Sequence, residues 1–375
     1  MELVELSISG FRNLEQQTHL SFFPRTNFVL GPNGAGKTSL LEAIVVLGNL
    51  RSFRSATLRP AVKHGETALR IEGKVVDGDG ARRLSIELET GPPLVRRLSV
   101  NGVTPRVDNY LLYFPVFAIT GPDRDLVRGG PHHRRALLDR FVFLQQPTYF
   151  EHLHRYRRAL AQRNAALSKG VGGPELDAWD ERLAEAAATI IVARRTGAEA
   201  LSKRFSEVYS ALAVERAPRV EVGYRGEHWL APDESPEKVE QLYQQRYNET
   251  RERDRRAGFT GDGPHRHDVS LRAAGRAIRN ISSSGQSKLV AAALRLATLA
   301  QVEKETHRRF PVVVDEIDAE LDREALRRLL QFLEGDRQLF LSSTDEKLKI
   351  EGGSGQQRIW LENGRCRHQE AASDE

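Results

Sequence analysis

The segment Gly31–Thr38 has the residue types and the spacing of a phosphate-binding loop, Gly-x-x-x-x-Gly-Lys-Ser/Thr. A short apolar run at 27–30 precedes it, and apolar residues at helical spacing follow from 38 to 47. The glycines allow backbone N–H groups to line a concave anion site, toward which the positive end of the following helix points. Lys37 would reach the β- and γ-phosphates, and the Thr38 hydroxyl would bind Mg²⁺. We therefore predict that the chain binds a nucleoside triphosphate.

A second motif, Pro311–Glu316, places two carboxylates directly after a short apolar run. If that run is a buried parallel strand, the carboxylates lie at the sheet edge where ligands bind. Asp315 would then hold Mg²⁺, usually through water, and Glu316 would orient or deprotonate the attacking water. An ordinary strand end has the same pattern, so this prediction depends on the phosphate loop.

A third motif, Ser282–Gln286, opens a segment rich in alanine and leucine. Serine hydroxyls and backbone N–H groups at a helix start form an anion site. Taken alone, the motif is equally typical of an ordinary helix cap. Its position, about 30 residues before Asp315 in the sequence, gives it more meaning.

The elements that must position these motifs fall into three blocks. Residues 1–121 read as an α/β half-domain, in which 113–119 is predicted as a buried strand. Residues 122–257 read as helical, with two helices near 148–168 and 177–213 joined by a glycine-rich turn. Residues 258–375 return to an α/β pattern. We therefore predict one split α/β ATPase domain, interrupted by a mostly helical insertion that carries a short helical hairpin arm.

A further helix within the insertion is predicted to begin after the cap Ser235, with Pro236 in its first turn, and to end near Gly258.

The composition agrees with a soluble globular protein, with 39% hydrophobic and 29% charged residues. No apolar run approaches the roughly 18 residues that a membrane span needs, so no membrane partner is expected. A single cysteine, Cys366, excludes an internal disulfide framework and favours a cytoplasmic location. The net charge of +5 permits binding to nucleic acid without requiring it.

The order of the three motifs resembles the ATPase head of ABC-type proteins of the SMC-like class. That resemblance implies two ATP sites shared by a homodimer, in which the signature segment of one subunit closes over the ATP bound by the other. Phe11-Arg12-Asn13 is similar to an N-terminal element near the nucleotide in such heads. Ala319–Asp322 resembles the loop that couples the two sites.

Further segments, in the same order and over nearly the whole length, resemble the bacterial RecF family. They are Gly10–Leu14, Arg51–Arg54, Arg134–Arg140, Gln162–Asn164, Gly263–Arg266 and Ser284–Gln286. The resemblance implies an ATP-dependent homodimer that clamps double-stranded DNA near gaps and helps to load RecA with a RecR-type mediator. It also implies roles in DNA replication, recombinational repair and the SOS response.

The chain departs from the pattern of these families at several positions. His267 replaces an acidic residue, Ala319 a serine, Ser284 a glutamine and Lys288 an arginine. Ser343-Thr344 stands where many ABC ATPases have a histidine. Because a hydroxyl contacts a γ-phosphate less strongly than an imidazole does, we expect slow hydrolysis.

The predicted site can be stated residue by residue. Glu316 is the predicted catalytic base, and Thr38 and Asp315 are the predicted Mg²⁺ ligands. The predicted ATP contacts are Arg12, Gly31, Pro32, Asn33, Gly34, Ala35, Gly36, Lys37, Thr38, Ser39, Ser283, Gly285 and Gln286.

Other interpretations stay open. The chain could be an ABC-type engine for another task, such as a transporter subunit or an ATPase tied to a nuclease. About 250 residues separate the phosphate loop from the signature, far more than in transporter subunits, and no carboxylate-rich nuclease domain fits after it. ATP could also gate binding with almost no hydrolysis. The basic stretch of Arg51, Arg54, Arg59 and Lys63 fits either DNA contact or a solvated face.

Overall fold

Short apolar runs become strands and amphipathic segments become helices in the computed structural model, which describes residues 1–213, 218–317, 323–345 and 355–372. The strands are β1 (Glu2–Ser9), β2 (Thr18–Ser21), β3 (Thr26–Leu30), β4 (Ala68–Asp77), β5 (Gly80–Glu89), β6 (Val95–Val100), β7 (Phe117–Ile119), β8 (Val220–Arg225), β9 (Asp268–Ala273), β10 (Arg276–Ala277), β11 (Val312–Val314), β12 (Leu339–Ser343), β13 (Gln356–Glu362) and β14 (Arg365–Ala372). The helices are α1 (Lys37–Asn49), α2 (Val107–Tyr113), α3 (Asp125–Arg128), α4 (Pro131–Gln145), α5 (Tyr149–Ser168), α6 (Pro174–Leu212), α7 (Pro236–Glu249), α8 (Arg251–Ala257), α9 (Ser284–Thr306) and α10 (Arg323–Leu333).

Contacts between residues divide the chain into two units. Unit 1 comprises Met1–Arg124, Tyr209–Ala217 and Ser283–Glu375, and unit 2 comprises Asp125–Val208 and Pro218–Ser282. Unit 1 is thus built mainly from the two ends of the chain. Residues 258–282, which the sequence assigned to the ATPase head, belong to unit 2 in this division.

A six-stranded sheet of unit 1 has the order β14-β13-β3-β12-β11-β7. All neighbouring pairs are parallel except β13 with β14, which form an antiparallel hairpin. Strands β3, β11 and β12 are buried along their whole length, as parallel strands covered on both faces usually are. Their shared direction brings the phosphate loop after β3 and the carboxylates after β11 to the same sheet edge.

A second, antiparallel sheet in unit 1 has the order β2-β1-β4-β5-β6. Helix α1 contacts β12 of the parallel sheet and β4 and β5 of the antiparallel sheet, so both sheets share one core. Nearly all of α1 is buried, which explains why its sequence is apolar almost all the way round. The helix that begins at the phosphate loop is therefore fixed on several sides.

Unit 2 contains helices α3–α5, α6 as far as Val208, α7, α8 and the three-stranded sheet β10-β9-β8. The turn at 169–173 joins α5, of 20 residues, to α6, of 39, with Gly170 and Gly173 at positive φ. Leu167 and Leu176 are buried at this turn, with Trp179 packed against them. The helical hairpin that the sequence predicts at this place is confirmed.

Two local predictions were wrong. The apolar segment 113–119 is not one strand, because Tyr113 ends α2 and only 117–119 extends the sheet. Pro115 explains the break, since the residue before a proline is held away from helical geometry. The helix predicted from Ser235 to Gly258 is interrupted at Thr250, although Ser235 caps it as expected.

Strands β8, β9 and β10 had not been recognised at all. In the part of the chain that the structure describes, no helix has both the length and the apolar content of a membrane span.

Candidate nucleotide-binding site

The loop between β3 and α1 depends on glycine at two positions. Gly31 has φ of 140°, and an added Cβ would lie 2.2 Å from the carbonyl oxygen of Leu361 on β13. Gly36 caps α1 in the left-handed region, with φ of 107°. Because L-residues with a side chain avoid both conformations, these glycines set the path of the loop.

This loop borders a cavity of about 630 Å³ in unit 1. The cavity brings together residues from the N-terminal segment, the loop, the start of α1, the segment after α1, a turn after β7 and the carboxyl end of β11. Its lining residues are Arg12, Asn13, Asn33, Gly34, Ala35, Gly36, Lys37, Thr38, Ser39, Phe53, Arg54, Gly121, Pro122, Asp315 and Glu316. Of the predicted site, Gly31 and Pro32 of the loop and the segment Ser283–Gln286 are not part of this lining.

The Lys37 side chain is buried against the loop that precedes it. Its Nζ atom donates hydrogen bonds to the carbonyl oxygens of Gly31, at 2.7 Å, and Pro32, at 3.0 Å. Only 6% of Lys37 is exposed. The ammonium group is therefore held where phosphates bound in the loop would need a positive charge.

Thr38 and Asp315 meet at the sheet edge. Thr38 Oγ1 donates a hydrogen bond to Asp315 Oδ1 at 3.1 Å, and Ser342 Oγ donates to the same oxygen at 2.7 Å. Burial raises the pKa of Asp315, and the hydrogen bonds from Ser342 and Thr38 partly oppose that rise. A hydroxyl and a carboxylate are oxygen donors of the kind that Mg²⁺ prefers, so this pair fits the metal implied by the family.

Glu316 follows Asp315 in an unusual backbone conformation. Its φ is 53°, in the left-handed region that residues other than glycine seldom adopt. Its backbone N–H donates to Ser342 Oγ at 2.7 Å, which stabilises that conformation. Ser342 on β12 therefore contacts both the carboxylate of Asp315 and the backbone of Glu316. The sequence analysis missed Ser342, since nothing local distinguishes a serine at the end of a buried strand.

A buried carboxylate organises the arginines of the cavity. Glu42 on α1 is 0% exposed and accepts hydrogen bonds from Arg12 Nη2 at 2.7 Å and Ser52 Oγ at 2.5 Å. Arg54 Nη1 lies 3.4 Å from the other oxygen of Glu42. Arg54 also lines the cavity. The sequence analysis had considered DNA contact or a solvated face for the basic stretch that contains Arg54, but not a place in this cavity. In the same stretch, Lys63 Nζ donates to a backbone carbonyl at 2.7 Å.

Asn13 and the turn after β13 support the loop from outside. Asn13 Nδ2 donates to the carbonyl of Gly34 at 3.0 Å, and Asn13 Oδ1 accepts from Ser39 Oγ at 2.7 Å. The N–H of Gly364 donates to the carbonyl of Ala35 at 2.9 Å. The Ser39 hydroxyl therefore faces Asn13, although Ser39 lines the cavity. The sequence analysis placed Asn13 near the nucleotide by resemblance but predicted no contact for it, and it missed Gly364.

The signature segment caps α9. Ser283 Oγ accepts from the N–H of Gln286 at 3.2 Å, and the side chain of Gln286 accepts from the N–H of Ser283 at 3.0 Å. Ser283 and Gly285 are exposed, with no atom within 4 Å of a Cβ added at Gly285. Helix α9 is anchored by Arg295, whose guanidinium Nη2 lies 2.6 Å from Asp123 Oδ1 in the turn that also supplies Gly121 and Pro122.

The remaining sequence-predicted features can be located only in part. The coupling loop predicted at 319–322 lies outside the described residues. Ser343 is buried at the end of β12, where its Oγ accepts from the N–H of Asp345 at 2.8 Å, and Thr344 is exposed. Neither residue lines the cavity.

A model of the RecF/RecN/SMC N-terminal domain matches residues 2–364. A protein of Anaeromyxobacter sp. (strain Fw109-5), named DNA replication and repair protein RecF, is 34% identical over 363 residues, which cover 95% of each chain. The protein of the same name from Myxococcus xanthus (strain DK1622) is 31% identical over 370 residues, 96% of this chain and 95% of the relative.

Two solved structures extend this likeness to the fold. One, described as the recombination mediator protein RecF-ATP in the RecFOR pathway, has a TM-score of 0.88 and 25% identity, and covers 99% of this chain and 97% of that chain. An Smc head bound to the C-terminal winged-helix domain of ScpA has a TM-score of 0.55 and 15% identity, with coverage of 100% and 98%. At that identity the second comparison concerns the fold alone.

Proposed function

Because the chain belongs to the RecF/RecN/SMC N-terminal domain family, and within it to the bacterial RecF proteins, we propose that it is an ATP-dependent DNA-binding protein of recombinational repair. ATP drives two copies together on double-stranded DNA near gaps, and slow hydrolysis releases them. The dimer assists RecA loading with a RecR-type mediator and serves DNA replication, repair and the SOS response in the cytoplasm.

The observation that carries the proposal is the contact of Thr38 Oγ1 with Asp315 Oδ1, at 3.1 Å. It joins the phosphate loop to the carboxyl end of β11, so Thr38 and Asp315 would together hold Mg²⁺. The ion would neutralise charge on the phosphates. Lys37 binds the β- and γ-oxygens, and Arg12 at the cavity wall contacts the nucleotide.

Glu316 is the proposed catalytic base. It lies next to Asp315 on the cavity wall, where its carboxylate can accept a proton from a water that attacks the γ-phosphate. The segment Ser343-Thr344 lacks the imidazole that many ABC ATPases have at this place. Hydrolysis is therefore slow, and the ATP-bound dimer lasts long enough to act as a switch.

The exposed signature segment supports the role of a second copy. Ser283, Gly285 and Gln286 do not line the cavity of their own chain, while Ser283 and Gly285 are exposed at the start of α9. Donors at a helix start bind anions. In the proposed dimer they bind the γ-phosphate held by the partner copy, and ATP is therefore needed for closure.

The experiment that tests the function measures DNA retention and ATP turnover together. With Glu316→Gln, we expect ATP-dependent dimers that stay on duplex DNA, since a glutamine cannot take the proton. Glu334→Gln, which changes an exposed carboxylate outside the cavity, serves as the control. ATP turnover at the wild-type rate in Glu316→Gln would remove Glu316 as the base. A chain that binds duplex DNA equally well with and without ATP would contradict the proposed function.

A further inference from the structure

A second cavity, of about 690 Å³, lies within unit 2. One wall is a face of α6, on which Arg195, Glu199 and Lys203 are spaced four residues apart. The other wall is the end of β8 and the segment that follows it, 222–232. Its volume is in the range of small-ligand sites and slightly exceeds that of the nucleotide cavity.

Three cations converge on this cavity without an acidic partner. Within the described residues, Arg195, Lys203 and Arg225 form no ion pair. The Nη2 atom of Arg195 donates to the carbonyl of Ala231 at 2.7 Å, but its buried Nη1 atom has no hydrogen-bond partner there. An unsatisfied buried donor on a charged group is costly. The lack of a carboxylate partner, rather than this one atom, distinguishes Arg195 from Arg163, whose Nη2 atom is unsatisfied in the same way.

Other arginines of unit 2 are treated differently. Arg163 is fully buried and paired with Asp180 and Asp254, at 2.6 and 2.9 Å. Arg194 is paired with Asp139 at 2.8 Å. Arg163 and Arg194 thus have carboxylate partners, whereas the three cations of the second cavity have none among the described residues.

The two acidic residues that line this cavity, Glu199 and Glu227, do not neutralise its positive charge. Glu227 is turned to the interior, where Tyr243 donates to its Oε2 at 2.5 Å and the N–H of Gly263 donates to its Oε1 at 2.7 Å. His267 also contacts Oε2 of Glu227. Both carboxylate oxygens are therefore engaged away from a ligand. Glu199 remains, one exposed carboxylate against three cations.

The floor of the cavity is apolar. The buried residues Ala198, Val222 and Leu230 supply it, whereas Lys203 and Arg225 are exposed. A sugar or a base ring packs on such a surface, while phosphate oxygens bind guanidinium and ammonium groups. Because the rim is basic and the floor apolar, the cavity suits a phosphate ester with an organic part.

We propose that this cavity is a phosphate-binding site, separate from the phosphate loop, that takes a nucleotide unit of a DNA strand or of a free nucleotide. Arg195 binds the phosphate from the inside, and Lys203 and Arg225 bind it from the two walls. The proposal concerns unit 2 alone and stands without the nucleotide chemistry of unit 1.

The test uses the full-length chain with the double substitution Lys203→Ala/Arg225→Ala. Both side chains are exposed, so folding is preserved, and thermal unfolding checks this. The matched control is Arg157→Ala/Arg158→Ala, which removes two exposed cations of α5 that do not line the cavity. One arm measures a fluorescent short DNA by anisotropy over a range of salt. A second arm measures pyrophosphate by calorimetry in a Lys37→Ala background, so that the phosphate loop contributes little.

We expect Lys203→Ala/Arg225→Ala to bind DNA about tenfold more weakly, with a salt slope smaller by about 1 because one phosphate contact is lost, and the control to bind almost normally. That result supports the site with strand phosphates as its ligand. If Lys203→Ala/Arg225→Ala loses pyrophosphate binding but keeps DNA binding, the result supports the site with a free nucleotide as its ligand. If neither probe responds, or if the control is weakened equally, the proposal is overturned. A wild-type chain that binds no DNA contradicts the proposed function, and the pyrophosphate arm still decides this proposal.

Discussion

Thr38 Oγ1 donates a hydrogen bond to Asp315 Oδ1 although 277 residues separate them in the chain. The contact exists because β3 and β11 run parallel in one sheet, with β12 between them. It brings a hydroxyl from the start of α1 and a carboxylate from the far part of the chain together at the proposed metal position. Unit 1 therefore has to be assembled from both ends of the chain before the site can form.

Replacing Ser342 should alter the pH dependence of Mg²⁺ binding. Burial already raises the pKa of Asp315, and the Ser342 hydroxyl opposes that rise. Mg²⁺ needs the carboxylate, so its affinity falls as the pH is lowered through that pKa. In Ser342→Ala the pKa rises further, and the loss of Mg²⁺ affinity should begin at a higher pH. Ser343→Ala is the matched control, and an identical pH profile in Ser342→Ala and the wild type would refute this role.

Replacing Glu42 should reduce stability and ATP affinity together. In Glu42→Gln a buried negative charge disappears between Arg12 and Arg54. We expect the free energy of unfolding to fall by about 3 kcal/mol, the low end for a broken buried pair, because both arginines are partly exposed. Urea unfolding and ATP titration measure the two effects.

The control for Glu42 is the exposed pair of Glu89 with Arg97 in the same unit. Glu89→Gln should cost less than about 1 kcal/mol, as exposed pairs generally do, and should leave ATP affinity unchanged. Equal losses in the two variants would show that Glu42 has no special part in the site.

The motifs that could be predicted from the sequence are those with local causes. The phosphate loop needs glycines at fixed positions, and the cap at Ser283 needs a serine three residues before Gln286, so both leave a local pattern. Ser342, Asn13 and Glu42 form hydrogen bonds with residues that are distant in the sequence. No local pattern indicates that a given serine or asparagine faces another segment. Strands β8–β10 were missed because they are short, with two to six residues each.

Blocking the signature segment should separate dimerisation from nucleotide binding. In Ser283→Arg a bulky cation replaces the exposed cap of α9, so the second copy should no longer close, while monomers still bind ATP. Ser235→Arg removes an equivalent cap, that of α7, and should cost a similar amount of stability, about 1 kcal/mol, without affecting the dimer. Fluorescent ATP binding and sedimentation measure these effects. If Ser283→Arg lost ATP binding while Ser235→Arg kept it, this separation of roles would be contradicted.

Affinity for duplex DNA in the presence of ATP should fall steeply with salt. Contacts to the phosphate backbone release counterions, and each contact contributes about −0.9 to the slope of log K against log salt concentration. Anisotropy titrations at several salt concentrations measure this slope. A flat response would contradict a clamp that binds the DNA backbone.

The central claim is that ATP in the phosphate loop closes two copies of the chain, and the molar mass in solution tests it most directly. Light scattering on the size-exclusion peak should give a monomer without nucleotide and a dimer with ATP and Mg²⁺. In Lys37→Arg the longer, planar side chain should fit the loop carbonyls poorly, and the ATP-dependent dimer should be largely lost. A dimer that forms equally in Lys37→Arg and the wild type, or that forms without ATP, would contradict the account.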